Sequence, residues 1–314
     1  MVLEQAFRAR WLERRPISAF FLGIVYSIIG ILSAKLIFPT NTGIASIAFI
    51  SILLIPSLNR LLGDEENVEI RENKFSIRML FKDHRDIFEI YFFMFIGVFL
   101  AYSFFTLVMP SETAAKMFAS QLKVSKDLYQ ALVGNAFANS ELISILLNNL
   151  LVFIVCFVLS IVYGAGSIFF LVWNASVWGV IFASYARVMV GLGTPLGGSL
   201  GAFFGVDTMA PVWAHLITEA FSYFFAAMAG GVLSKAVMRE DLFSEKFHHI
   251  ISDSIMLMIL GFMVVAGAAV IEVYVHGVVS VAILLGIALL LILLIGALEP
   301  THVFESELKE TPQE

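Results

Sequence analysis

The residues with the most chemical potential in this chain lie where hydrocarbon would surround them. The stretch "PVWAHLITEAFSYFFAAMAGG", residues 211–231, reads as a membrane span, yet it carries His215 and Glu219. Four residues advance a helix by about 400°, so the two side chains stack one turn apart on a single face. An imidazole and a carboxylate so placed can share a hydrogen bond, form an ion pair or supply half of a metal-ligand set. A charge at the centre of a membrane helix costs about 2.5–3.5 kcal/mol on insertion scales, so the pair should face the bundle interior and find further partners there.

Candidate partners lie on other apolar segments. "ISILLNNLLVFIVCFVLSIVYG" sets Asn148 and Asn149 side by side, "VVAGAAVIEVYVHG" contains Glu272, and "SIFFLVWNASVWGVIFASY" holds Asn174 between Trp173 and Trp178. At about 1.5 Å per residue from the presumed outer helix ends, Asn148 lies about 10 Å deep, His215 about 6 Å, Glu219 about 12 Å and Glu272 about 5 Å. All four fall in one outer slab of the bilayer, as a shared cluster requires, while Asn174 sits deeper. Two readings stay open: interhelical hydrogen bonds that only join helices, or a polar pocket binding a ligand, a lipid headgroup or a partner segment.

A catalytic metal site finds little support, because His215 is the only imidazole within a span; His276 lies at the outer edge, and His84, His248 and His249 lie on the inner side. There is no Ser/His/Asp order, phosphate loop or HExxH. The expectation is therefore a protein that is not an enzyme and holds no cofactor and no metal. The single cysteine, Cys156, lies inside an apolar run and gives neither a disulfide framework nor a thiol metal site.

The elements that position these groups follow from composition. Of 314 residues, 60% are hydrophobic and 14% charged, with a mean hydropathy of +0.92; soluble domains carry about 25% charged residues. Apolar runs recur along the chain, each long enough for the roughly 20 residues that cross a hydrocarbon core. The fold class is all-α, a polytopic transmembrane helical bundle. Its spans fall near 17–38, 43–60, 87–109, 142–163, 167–190, 211–234, 252–275 and 278–298, about eight in all. The second is the weakest, since Pro56 and Asn59 interrupt it. The Arg-rich start, "MVLEQAFRARWLERRPISAFF", leads into a retained anchor, for no small-residue cleavage site follows.

Placing the N-terminus inside puts fourteen Lys and Arg residues on inner segments and four outside, Lys116, Lys123, Lys126 and Arg187. Lys35 is left near an outer helix end, where its stem can snorkel. By the positive-inside rule both termini are cytoplasmic, in a multi-pass cell-membrane protein. A net charge of −6 without a dense basic block excludes nucleic acid as a partner.

Three connectors stand out. "DEENVEIRENKFSIRMLFKDHRD" mixes both charge signs with Phe75, Met79 and Phe81 and is expected along the inner surface, either as an amphipathic element or as a solvated connector. Residues 111–141 are too long for a bare loop. Ser111 is placed to cap a helix there, with Met117, Phe118, Leu122, Leu128 and Leu132 resting on the outer leaflet. Residues 191–205, "GLGTPLGGSLGAFFG", are either a re-entrant loop or a plain outer one. Two small-residue seams, Ala19, Gly23, Ser27, Gly30 and Ala34 on the first span and Ala226 with Gly230 on the sixth, suit close helix packing.

Read in order, Asn148-Asn149, the small-residue turn at Gly164 and Gly166, Asn174 with a small residue after it and then Gly179, His215 with Glu219, and Ile271-Glu272 resemble the stage II sporulation protein M family. The resemblance covers about residues 87–275. Relatives usually carry Asn-Gly where this chain has Asn174-Ala175, and His-Gly-x-x-Glu where it has His215-Leu216. The resemblance implies a polytopic membrane protein without established catalytic activity, whose members in sporulating bacteria help assemble and position cell-wall-degrading proteins at a septal membrane.

The chain then divides into an N-terminal two-span hairpin with its connector (1–86), a family-like five-span core (87–275), and a last span with its tail (276–314). The leading expectation is a scaffold in contact with membrane lipids, assembled as a homo-oligomer and holding a protein partner at its outer face. A transporter, channel or lipid-handling protein using the same polar residues is the alternative. The residues at stake are Asn148, Asn149, His215, Glu219 and Glu272, with Asn174, Gly164 and Gly179 in a secondary role.

Overall fold

The computed structural model describes residues 15–69, 84–124, 138–191, 210–241 and 244–274, together with Leu12 and scattered positions between 279 and 287. Its helices are α1 (Ser18–Ile37), α2 (Thr42–Glu69), α3 (Arg85–Val108), the short α4 (Ser111–Met117), α5 (Ala138–Tyr163), α6 (Ile168–Gly191), α7 (Ala210–Arg239) and α8 (Glu245–Tyr274). A single 3-10 turn, Ala165–Ser167, joins α5 to α6. No strand occurs among the described residues. All of these helices except α4 are long and apolar enough to cross a membrane, seven in number. The eighth span expected at 278–298 lies almost wholly outside the described residues, as do most of the inner connector and of the Gly-rich loop.

Burial runs opposite to apolarity. α5 is the most apolar of the seven spans and the least buried, whereas α7 is the least apolar and the most buried; α8 ranks next to α5, and α6 next to α7. That is the order expected when lipid is the outer solvent, since tails accept only apolar side chains while the interior can satisfy polar ones. α7 is the hub. It packs most extensively on α8 and α5, and also touches α2, α3 and α6; α1 packs on α2 and α3, and α3 on α6.

Small residues set the closest approaches. Gly23 of α1 and Gly97 of α3 face each other so tightly that a Cβ on Gly23 would lie 2.6 Å from the Met94 carbonyl oxygen, and one on Gly97 would press on that of Phe20. The whole α1 seam, Ala19, Gly23, Ser27, Gly30 and Ala34, is buried. It serves two partners: Gly23 meets α3, and Gly30 meets Ser46 and Ile50 of α2. Ala226 is buried too, and Gly230 abuts Phe157 and Ser160 of α5.

The second span lies where expected, at Thr42–Leu62, but its helix is not interrupted. α2 continues through Pro56 to Glu69 rather than ending near residue 60. Asn59 does not interrupt it, because its Oδ1 accepts the Ala165 N–H at 2.9 Å and so satisfies a backbone donor in the α5–α6 turn. That turn pivots on Gly164, whose φ of 68° is the left-handed conformation natural to glycine. A Cβ there would collide with the Asn59 amide.

The segment after α3 also differs. Pro110, not Ser111, flanks the start of α4. The Ser111 hydroxyl instead accepts a hydrogen bond from Arg187 Nη1 at 3.0 Å. Arg187 Nη2 donates to the Thr106, Leu107 and Met109 carbonyls, the acceptors left free at the end of α3. After a turn at Phe118 the chain is again helical over 119–124. Met117 and Phe118 do not rest on a leaflet: they are buried in the bundle with Ala114 and Gln121. A leaflet surface would offer the Gln121 amide no partner, whereas the bundle does. Leu128 and Leu132 lie outside the described residues.

Candidate functional site

α7 carries the centre of the site. His215, Glu219 and Tyr223 recur every fourth residue and so form one row down the helix. Along that row His215 Nε2 lies 2.9 Å from Glu219 Oε2, and the Tyr223 hydroxyl donates to Glu219 Oε1 at 2.7 Å. α8 closes the row from the side. It brings Glu272 Oε2 to 3.3 Å from His215 Nε2 and the Ala268 carbonyl oxygen to 3.2 Å from Nδ1. Both ring nitrogens thus face oxygen acceptors, an arrangement that suits the doubly protonated imidazolium with an N–H on each side. Trp178 of α6 stands edge-on to the imidazole, its ring centre 6.0 Å away.

His215 is 4% exposed and Glu219 6%. Charges so buried are tolerated only when paired and hydrogen-bonded. The antiparallel packing of α7 on α8 supplies the pairing, and its register is fixed at more than one level. Ser254 Oγ donates to the Ala229 carbonyl at 3.1 Å, about four turns below the Ala268–His215 contact.

The two asparagines behave differently from each other. Asn149 is 4% exposed and its Nδ2 has no hydrogen-bond partner among the described residues. Asn148 is on the exposed side of α5 and reaches back to donate to Asn149 Oδ1 at 3.2 Å. Depth follows from neighbours lower on α5. Phe153 and Phe225 both abut Gly261, and Phe157 abuts Gly230, so α5 descends alongside α7. Asn149, one turn above Phe153, is therefore level with Phe221, between Glu219 and Tyr223.

Asn174 is elsewhere. It donates to the Phe170 carbonyl at 2.9 Å, one turn back on its own helix. Gly164 makes the α5–α6 turn. Gly179 lets α6 approach α3 at Phe99 and Tyr102, where Ser103 Oγ donates to its carbonyl at 3.1 Å. Ala175 and Leu216, the neighbours of Asn174 and His215 in sequence, are both buried. Leu216 helps fill an apolar slot between α3 and α7, beside Phe95, Phe99 and Trp213.

Tyr223 and Trp178 complete the network without having been singled out for it. Tyr223 was detectable as the next member of the row that begins at His215; Trp178 carries no local signal, since only the packing of α6 brings it to the ring. No group of three metal-ligating side chains poised for a metal occurs among the described residues. A wider groove of about 440 Å³ between α5 and α8 is lined by apolar side chains such as Phe153, Phe157, Met258 and Phe262, with Ser254 its one polar member.

No curated protein and no solved structure matches the chain. The family model described as Stage II sporulation protein M matches residues 90–276, from within α3 to just beyond α8, and this range holds His215, Glu219, Tyr223, Glu272 and both asparagines. More than half of the sequence lies in that match, the seven apolar helices agree with a membrane protein, and the chain belongs to the stage II sporulation protein M family.

Proposed function

We propose that this protein is a non-catalytic membrane scaffold that positions a partner protein and works as a homo-oligomer. The observation that carries the reading is the closure of the polar network: the His215 ring meets Glu219 of its own helix and Glu272 and the Ala268 carbonyl of α8, so it joins α7 to α8, while Glu219 is taken up by His215 and Tyr223 within α7. A network of this kind fixes the relative position of two helices. The side of the 111–124 segment that carries Glu112, Lys116 and Lys123 is exposed and offers a partner a charged surface at the end assigned to the outside.

The test is chemical cross-linking in native membranes followed by purification of a tagged chain. A reproducible companion protein, lost when Lys116→Glu and Lys123→Glu are combined in a chain that still folds, supports the scaffold. Recovery of the chain alone, or of the same companion from both forms, counts against it.

A second reading, transport of a small solute or proton, has its own support in two carboxylates converging on one imidazole nitrogen and in the buried Asn149 Nδ2, which has no hydrogen-bond partner among the described residues, at the same level. Glu219→Gln in proteoliposomes separates the two. Flux present in the native chain and lost in a folded variant favours transport; absence of flux from both favours the scaffold.

A further inference from the structure

The segment 111–124 is seated in the bundle in an unusual way. Its inward side repeats at Ala114, Met117, Phe118 and Gln121, all buried, while Lys116 and Lys123 point away. Phe118 packs on the Tyr102 ring, centre to centre 5.4 Å. Gln121 is fully buried in a notch built by three helices. Gly43 of α2 provides a carbonyl, Ser46 of α2 and Tyr102 of α3 hydroxyls 2.7 Å apart, and Ser176 of α6 a third hydroxyl. Gly43 lets the segment in, for a Cβ there would lie 2.5 Å from Gln121 Oε1 and 3.0 Å from the Met117 carbonyl oxygen.

The two ends of the segment are held very differently. Its root is clamped by the Arg187 fork on Thr106, Leu107, Met109 and Ser111. Farther along, the Gln121 amide makes only two long hydrogen bonds among the described residues, Nε2 to the Gly43 carbonyl at 3.3 Å and to Ser176 Oγ at 3.4 Å. Gln121 Oε1 is buried with no hydrogen-bond partner among the described residues. Bonds near the limit of range contribute little, and an unfilled buried acceptor opposes the seating. The walls do not depend on the tip: Ser46 also donates to the Gly43 carbonyl at 2.9 Å, and Ser176 to that of Trp173 at 2.7 Å.

We propose that residues 111–124 are a displaceable stopper, anchored by Arg187, whose Gln121 tip withdraws to open the hydroxyl-lined notch of Gly43, Ser46, Tyr102 and Ser176 to water. The opening turns about the junction at Pro110 and Ser111, where the backbone leaves α3 extended before α4 begins. Phe118, packed on the Tyr102 ring, supplies apolar contact that returns the tip to its seat.

Ser176→Cys is the reporter, a near-isosteric change at a buried wall residue that the seated Gln121 touches. The full chain is placed in lipid nanodiscs and the rate of modification by a water-soluble maleimide is followed. The expected result is slow modification in the otherwise native chain and an acceleration of at least about tenfold when Phe118→Ala is added, because one buried aromatic contact holding the seat is gone. Gln121→Asn, whose shorter amide cannot span both acceptors, should accelerate it too and serves if Phe118→Ala does not fold. Equal rates with and without the second change, rapid modification in the native background, or none in any background short of denaturation would each overturn the proposal.

Discussion

His215 on α7 and Glu272 on α8 meet across a helix interface at 3.3 Å, and the same imidazole holds Glu219 of its own helix at 2.9 Å. One ring therefore belongs to two different kinds of contact. The pair with Glu219 lies within one helix and can form as soon as α7 does; the pair with Glu272 requires α8 to be docked in register.

The cross-helix contact should be measurable as a coupling. A double-mutant cycle on His215→Ala and Glu272→Ala is expected to give about 0.5–1.7 kcal/mol, the range found for polar contacts between membrane helices. The readout is unfolding in mixed micelles. Additivity within error would mean that the two side chains do not depend on each other.

Glu219 serves His215 and Tyr223 at once, so its shape matters as well as its charge. Glu219→Ala should cost about 1–3 kcal/mol by stranding two buried donors. Glu219→Gln keeps an acceptor oxygen in place and should cost less. Thermal midpoints of the purified variants compare them, and identical values would contradict the network as described.

The Gly23–Gly97 crossing leaves no room for a side chain. Gly97→Leu should destabilise by about 1–3 kcal/mol, because the atom it meets is the Phe20 carbonyl of a helix backbone that cannot give way alone. Gly267 is the control on α8: nothing lies within 4 Å of the Cβ it lacks, so Gly267→Ala should be neutral or slightly stabilising. A reversal of that order in a melting experiment would refute the packing.

Asn59 ties α2 to the turn between α5 and α6. Asn59→Leu removes the acceptor of the Ala165 N–H and is expected to cost about 1–2 kcal/mol, whereas Asn59→Asp retains an acceptor and should be milder. Proteolysis at the α5–α6 turn, faster in the leucine variant alone, is the measurement.

Much of this architecture is legible in the residues themselves. The i, i+4 spacing of His215 and Glu219 puts them on one face before any packing is known, and the α1 seam announces close helix contact without saying with which helix. What stays hidden is tertiary. Asn59 reads as an interruption because its partner lies more than a hundred positions away. The apolar stripe of 114, 117 and 118 fits a leaflet as well as a protein groove, and only the buried Gln121 decides between them. Asn148 and Asn149, adjacent in sequence, must point in directions about 100° apart on a helix, so at most one could face the interior squarely. The structure gives that place to Asn149.

The burial order of the spans bears on biosynthesis. α7, the least apolar span, leaves the ribosome before α8, so His215 and Glu219 enter the bilayer before Glu272 and the Ala268 carbonyl can dock beside them. For that interval the nascent chain carries a polar row that only α2, α3, α5 and α6 can shelter. A chain cut short after α7 would be left in this half-sheltered state, a natural substrate for membrane quality-control proteases.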